Sequence, residues 1–374
     1  MIYQDREAGS DSKHHVLIIG GGPAGSAAAL TLLKYSNVLV SVVESSDFSQ
    51  QRLGEVTSAG IAPLLQYLGI EEQSFLNKHL SSYESISSWG SSEIHNRSST
   101  FSVLGGGWHL DRNTFDSDLF TQVEQNGGMV YRSAKLIEAI MTHENKWQLS
   151  LKHKGKIVNL VADYIIDASG KKSILPRKLG VEHHLLDNLV GLTVFFKTNE
   201  TRHFLSIESI PYGWWYSAVV PNNQLAVTLM TDADIGRQYK FSRFNEWMKL
   251  LKSSKHTRER LPANADKTRI FVRPAHSQII KCITGNKWVA TGDSAVSFDP
   301  LSSLGIGHAV SSGIEAARAI IAYFQLDDSL LNNYCHVIAA TFKKVVSRQK
   351  EFYLKEQRWS KHEFWSRRHL DSYG

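Results

Sequence analysis

Short apolar runs broken by polar turns alternate with helix-forming stretches along the N-terminal part of the chain. Residues 16–19 (Val-Leu-Ile-Ile) are uniformly apolar, as a strand buried on both faces must be. Good helix formers follow over 27–33, and residues 38–43 make a second buried strand ending at Glu44. These segments predict one βαβ unit within about thirty residues. Helix is predicted over 59–68, serine-rich strands and turns over 83–103, and helix over 115–125, stopped at Gly127-Gly128. Residues 129–161 read as a strand meander in which Trp147, Leu149 and Leu151 alternate onto one face. Two more short buried strands fall at 164–166 and 288–290. The stretch 191–272 is strand-like with a helix near 243–251, and long helices are expected over 307–324 and 330–359. No internal repeat is visible, and low complexity is confined to the serine-rich stretch near 81–99.

Bulk properties narrow the classes. The 374 residues, 42% hydrophobic and 21% charged, suit a globular chain of about two domains. The formal charge is +6, but Lys and Arg are dispersed, with only short clusters such as Lys343-Lys344 and Arg367-Arg368. That reads as a mildly basic surface, so no nucleic-acid partner is expected. Two cysteines, Cys282 and Cys335, provide neither a disulfide framework nor a zinc site and fit a reducing compartment. His14-His15 and His183-His184 lack ligand spacing to acids or cysteines, so no metal is expected.

Residues 16–33 are uncharged and long enough to suggest a membrane span, but Gly20-Gly21-Gly22-Pro23-Ala24-Gly25 at their centre would break it. The leader up to His15 is polar and of mixed charge, unlike a signal peptide, and is expected to be disordered to about Lys13. A cytoplasmic protein without a membrane span is the expectation.

Chemistry enters at the same glycines. Gly20-x-Gly22-x-x-Gly25 follows a strand and opens a helix. The first glycine allows the tight turn, the second lets backbone approach a pyrophosphate, and the third lets helix pack on strand, aiming the helix N-terminus at the negative charge. Glu44, at the end of the next strand, stands where a carboxylate accepts a ribose hydroxyl. Gly20, Gly22, Pro23, Ala24, Gly25 and Glu44 are therefore the candidate dinucleotide residues of a Rossmann-type α/β fold.

Further segments extend the pattern in order: Asp111-Arg112 with Phe115 and Asp116, then Asp167-Ala168-Ser169-Gly170. Gly292-Asp293-Ser294-Ala295 follows, with Asp299-Pro300 and the turn Gly305-Ile306-Gly307. On these residues the chain resembles the FAD-dependent aromatic hydroxylase and flavin halogenase superfamily. The resemblance implies FAD as cofactor, contacted by Arg112 and held at its ribityl chain by Asp293, although Asp293 also reads as a plain helix cap. It further implies that Gly305, Ile306 and Gly307 open a helix toward the isoalloxazine, where backbone N–H groups stabilise a reduced, negatively charged flavin. No second glycine fingerprint for an independent nicotinamide domain is present.

Leu53-Gly54-Glu55-Val56 and Gly213-Trp214-Trp215-Tyr216 resemble halogenase segments, but Tyr216 stands where that family has a second tryptophan, and the proline comes only at Pro221. Residues 83–93 contain none of the lysine a halogenase uses to direct hypohalous acid. Halogenation is thereby disfavoured.

A nearer resemblance is to the small accessory flavoproteins that build cysteine tryptophylquinone in glycine oxidase and lysine ε-oxidase. It is carried by the run 299–309 with Ser311-Ser312-Gly313, by Pro211 to Tyr216, and by Glu356-Gln357-Arg358-Trp359 with 364–368. It implies an FAD-dependent monooxygenase that oxygenates a tryptophan of a precursor protein, a post-translational modification that precedes quinone formation. The partners implied are a quinone-cofactor oxidase precursor and molecular oxygen; the reductant stays open, with NAD(P)H as the candidate. Two alternatives remain: a monooxygenase of a free small aromatic substrate, and a non-catalytic flavin-bound maturation chaperone.

A base to accept the ring proton would help, and His308 and Glu55 are the candidates, with Glu208 weaker; His308 also reads as a packing residue. Trp214, Trp215 and Tyr216 are candidates for the substrate pocket, or for core packing of the sheet. The basic, aromatic tail 359–369 reads as a partner-docking surface or as an ordinary terminal helix.

The expected organisation is a discontinuous Rossmann-type FAD-binding domain (14–80, 108–185 and 275–325). Into it are inserted the pieces of a mostly antiparallel substrate sheet (81–107 and 186–274), and a C-terminal helical region covers 326–374.

Overall fold

The computed structural model describes residues 13–98 and 105–370. The polar leader before Lys13 and the 99–104 part of the serine-rich stretch thus lie outside the described residues.

The predicted βαβ unit is strand His15–Ile19, helix Pro23–Tyr35 and strand Leu39–Val43. These strands belong to a six-stranded sheet that also contains Met129–Tyr131, Tyr164–Asp167, Trp288–Ala290 and the short antiparallel strand Thr284–Gly285. The register aligns Ile19 with both Val43 and Asp167, and Asp167 with Ala290. The chain therefore leaves four adjacent parallel strands at one edge, delivering Gly20, Glu44, Ala168 and Thr291 side by side. In doubly wound sheets ligands bind at this carboxyl edge.

A seven-stranded sheet stands beside it, ordered Phe271–Pro274, Leu189–Lys197, Gln224–Asp232, Gly213–Val220, Phe204–Ile210, Glu84–Ser88 and His95–Ser98. All neighbours are antiparallel except Phe204–Ile210 with Glu84–Ser88. The meander of 129–161 appears as Ala134–Met141, Trp147–His153 and Lys156–Ala162, with Trp147, Leu149 and Leu151 buried beneath it. The helix expected near 243–251 is Phe244–Lys252. A six-residue helix, Ala233–Gln238, went unread because it is too short to show a period.

Two apolar cores result. One joins the parallel sheet to helices Pro23–Tyr35 and Gly305–Phe324, with Tyr334, Ile338 and Phe342 of helix Ser329–Leu354. The other lies in the large sheet and takes in Tyr353, Phe364 and Trp365.

The C-terminal tail is therefore part of the fold. Phe364 and Trp365 are fully buried, and the Trp365 indole donates to the Ile210 carbonyl at 2.8 Å. Arg368 makes a buried two-point pair with Asp232, at 2.7 and 3.1 Å. Within 359–369, Phe364 and Trp365 are thus core and the arginines clamp the tail to the sheet, while Lys361, His362 and Glu363 stay exposed. Removing one member strands a buried charge, so Arg368→Met is expected to cost about 3 kcal/mol in the thermal or urea denaturation of the FAD-loaded protein.

Candidate active site

Backbone sterics build the first half of the site. Gly20 has φ +106°, and a Cβ there would sit 2.3 Å from the Ala168 carbonyl oxygen; one on Gly25 would sit 1.8 Å from that of Gly20. Both glycines are needed to close the turn. Gly22 differs: its backbone is extended (φ −75°, ψ −173°), and a Cβ built on it meets nothing within 4 Å. It precedes Pro23 at the start of a 13-residue helix with no side-chain cap. Open space thus lies where a phosphate would meet the N–H groups of the first turn.

The same holds across the site. Gly305 and Gly307 open the 20-residue helix Gly305–Phe324, which has no side-chain cap, and neither glycine's added Cβ meets an atom within 4 Å. Ile306 between them is buried. The helices are locked together where Ala24 meets Gly292 and Gly313; a Cβ on Gly313 would lie 2.2 Å from the Ala24 carbonyl oxygen.

The acids divide into fastened and free. Glu44 accepts from the Gly21 N–H at 2.9 Å and from Ser46 N and Oγ at 2.7 Å each, so it braces the glycine turn. Asp167, fully buried, accepts from Ser169 N and Oγ, Leu175 N and Ser294 Oγ, tying the ends of two adjacent strands together. Sequence reasoning quoted its motif without giving Asp167 this role; the two serines that hold it, at 169 and 294, were the signal. Asp293 is partly exposed, and no protein donor reaches its carboxylate among the described residues. It caps no helix, which disposes of the cap reading and leaves an acceptor available for a ribityl hydroxyl.

Arg112 makes four hydrogen bonds to the protein. It pairs with Asp116 at 3.0 and 3.1 Å and donates from Nη1 to the carbonyls of Leu53 (2.7 Å) and Gly54 (3.1 Å). Arg52 reaches the same Asp116 at 2.7 Å. Arg112 therefore sets the loop that presents Glu55.

Glu55 is 5% exposed, and its Oε1 has no hydrogen-bond partner among the described residues. Burial raises its pKa, and the Tyr216 phenol on the facing sheet interacts with it and is itself pushed well upward by burial and by Glu55. The structure thus brings Glu55 of the 51–55 loop and Tyr216 of strand Gly213–Val220 together.

It does not keep the aromatic trio together. Alternate residues of strand Gly213–Val220 point to opposite faces. Trp215 is buried edge-on against Trp247 of helix Phe244–Lys252, 5.1 Å between ring centroids. Trp214, on the Tyr216 side, donates from its indole to Tyr353 Oη at 3.1 Å. Trp214 and Trp215 are both fully buried in the core of the large sheet, the packing role that stood as the alternative to the pocket for them. Glu208 faces the Trp215 side and accepts from the N–H groups of Lys255, His256 and Thr257, a structural cap rather than a base.

His308 packs edge-on against Phe298 at 4.9 Å, its Nε2 has no partner among the described residues, and burial lowers its pKa to about 4. It lines a cleft of about 430 Å³ between helices, with Leu64, Ser311 and Val337. A neutral imidazole of such low basicity is a poor proton acceptor near pH 7.

His109 is likewise held near 4 by burial, while its Nδ1–H donates to the Val219 carbonyl at 2.7 Å. Its folded pKa lies below the unfolded 6.5, so its contribution is complete above pH 6.5 and is lost as pH falls toward 4. For His109 alone that is about 3 kcal/mol. Urea denaturation is expected to show stability falling across this window, with a shallower slope in His109→Gln.

This is the architecture of an FAD-dependent oxidoreductase of the halogenase and hydroxylase type. The chain belongs to the FAD-binding domain family, whose model matches residues 13–349, and FAD is its cofactor. It is 34% identical over 364 residues to LodB of Marinomonas mediterranea, described as an FAD-dependent oxidoreductase, covering 96% of this chain and 98% of that one. It is 23% identical to a tryptophan 2-halogenase of Chondromyces crocatus, over 83% of this chain and 61% of the halogenase. Among solved structures, the flavin-dependent halogenase CmlS superposes with TM-score 0.86 at 22% identity, covering 96% of this chain and 68% of that one. The peptidyl tryptophan dihydroxylase QhpG, essential for tryptophylquinone cofactor biogenesis, superposes with TM-score 0.76 at 19% identity, covering 96% and 79%. No helix among the described residues is long and apolar enough to cross a membrane.

Proposed function

We propose that this flavoprotein is a monooxygenase that hydroxylates a tryptophan side chain within a partner precursor protein, on the way to a tryptophylquinone cofactor. The observation that carries the reading is the buried Glu55 carboxyl facing the Tyr216 phenol. This pair can take up the proton an indole ring must lose when it gains oxygen. The end-to-end likeness to LodB and the shared fold with QhpG support the protein-substrate version. The lack of lysine over 83–93 speaks against halogen transfer.

Gly20, Gly22, Gly25 and the first turn after Pro23 would hold the pyrophosphate. Asp293 would hold the ribityl chain, and the Gly305–Gly307 turn would receive the ring system. With dioxygen and two electrons from a reductant of the NAD(P)H class, the flavin supplies an electrophilic oxygen atom matched to an electron-rich indole. One oxygen enters the ring and the other leaves as water. The chain's own part is to orient the indole, exclude water and remove its proton: Arg112 fixes the Glu55 loop, and Tyr216 holds the carboxyl in place.

The test is co-purification of the tagged protein with its partner, followed by mass spectrometry of the partner. The expected result is a co-purifying oxidase precursor that carries oxygen on a tryptophan only when this protein is present. A precursor oxygenated equally in its absence would overturn the reading. Oxygen uptake with a free aromatic compound and no protein partner would favour the small-molecule hydroxylase. Binding without oxygen use would favour the chaperone.

A further inference from the structure

Asp299 stands at the foot of the turn assigned to the flavin. Its Oδ1 accepts from Leu301 N at 2.8 Å and caps the short turn Pro300–Ser302. The chain then passes through Ser303 in the left-handed region (φ +52°) and enters helix Gly305–Phe324. Asp299 Oδ2 is held from the C-terminal helix Ser329–Leu354: the Tyr353 hydroxyl donates to it at 2.7 Å and Gln349 Nε2 at 3.0 Å. The Tyr353 oxygen in turn accepts the Trp214 indole N–H at 3.1 Å. Trp214, Tyr353 and Asp299 are 0%, 1% and 1% exposed. Three segments remote in sequence thus meet in a dry chain of two hydrogen bonds. Its far end, Trp214, lies on the sheet face of Tyr216, two residues away.

We infer that Tyr353 is a positioning residue that couples the Tyr216 face of the sheet to the flavin turn through Asp299. Donation of the indole N–H polarises the phenol and strengthens its bond to the carboxylate, so a displacement at the sheet reaches the turn. The inference rests on the placement of the flavin at Gly305–Gly307 and not on which molecule is oxygenated, so failure of the partner assay would leave its own readout intact.

The readout is the ionisation of Asp299. Burial and the nearby Asp187 push its pKa up to about 6, while Leu301 N–H, the Tyr353 hydroxyl and Arg368 pull it down, and Lys171 also faces it. Loss of the phenol hydroxyl removes a bond that favours the charged form, so the carboxyl should titrate higher.

The experiment is a pH titration of bound-flavin absorbance between pH 5 and 8 in FAD-loaded wild type and Tyr353→Phe. Flavin reoxidation rates are measured for both, for Trp214→Phe and for the double variant. A midpoint near pH 6 in wild type is expected to rise by about one unit in Tyr353→Phe. The double variant should reoxidise no differently from Tyr353→Phe alone, because both substitutions cut one chain. A merely structural tyrosine would lower the melting temperature and leave the midpoint where it is. An unmoved midpoint, or strictly additive rates, would overturn the inference. If Tyr353→Phe does not fold, Trp214→Phe reads the same chain from its other end: a smaller upward shift supports the coupling, and none refutes it.

Discussion

Gly22→Val is expected to yield a folded protein that has lost FAD. An added Cβ meets no protein atom within 4 Å and the extended backbone at Gly22 suits any residue, so stability without cofactor should stay within about 0.5 kcal/mol of wild type. Two methyl groups would stand in the space a pyrophosphate needs against the first turn of helix Pro23–Tyr35. Affinity for FAD should fall by about 100-fold or more, near 3 kcal/mol. Gly25→Ala is the contrasting control, since its Cβ would lie 1.8 Å from the Gly20 carbonyl oxygen and the turn itself must break. Flavin fluorescence titration together with urea denaturation separates the two. A Gly22→Val protein that binds FAD as wild type does would remove the pyrophosphate from this turn.

Glu55→Gln should abolish most turnover while leaving the flavin in place. The amide keeps the shape of the side chain. General-base removal typically costs about 10²- to 10⁴-fold in rate. Tyr216→Phe should cost less, about tenfold, because it removes the partner that orients the carboxyl but not the carboxyl. Oxygenated partner peptide, counted per bound flavin, is the measurement. Full activity in Glu55→Gln would pass the base role elsewhere, and His308 would then need to act despite its lowered basicity.

Much of the cofactor half was legible in the chain. Buried parallel strands are nearly pure apolar runs, and a glycine turn that must admit a phosphate tolerates few other residues, so residues 16–44 announce themselves locally. The helix after Gly305 and the strand ends at Asp167 and Ala290 were readable for the same reason. The aromatic segments were not. Trp214, Trp215 and Tyr216 look alike in sequence, yet strand alternation turns Trp215 to the other face of the sheet, against Trp247. Trp359 to His369 has the composition of an interface, and only the neighbouring Ile210 carbonyl and Asp232 carboxylate turn its Trp365 and Arg368 into interior.

The sequence by itself determined what depends on nearest neighbours along the chain. This includes the βαβ unit, the glycines that close its turn, the order of the flavin motifs and, through them, the cofactor. The tertiary structure decided the pairings between distant residues. It set the Glu55 loop against Tyr216 of the large sheet, gave Arg112 to that loop, fastened Glu44 to the glycine turn, and joined Asp299 to Tyr353 and Trp214. The reason is physical: a carboxyl acquires its basicity and its partner from burial and from what stands opposite, and neither is encoded within the few residues around it.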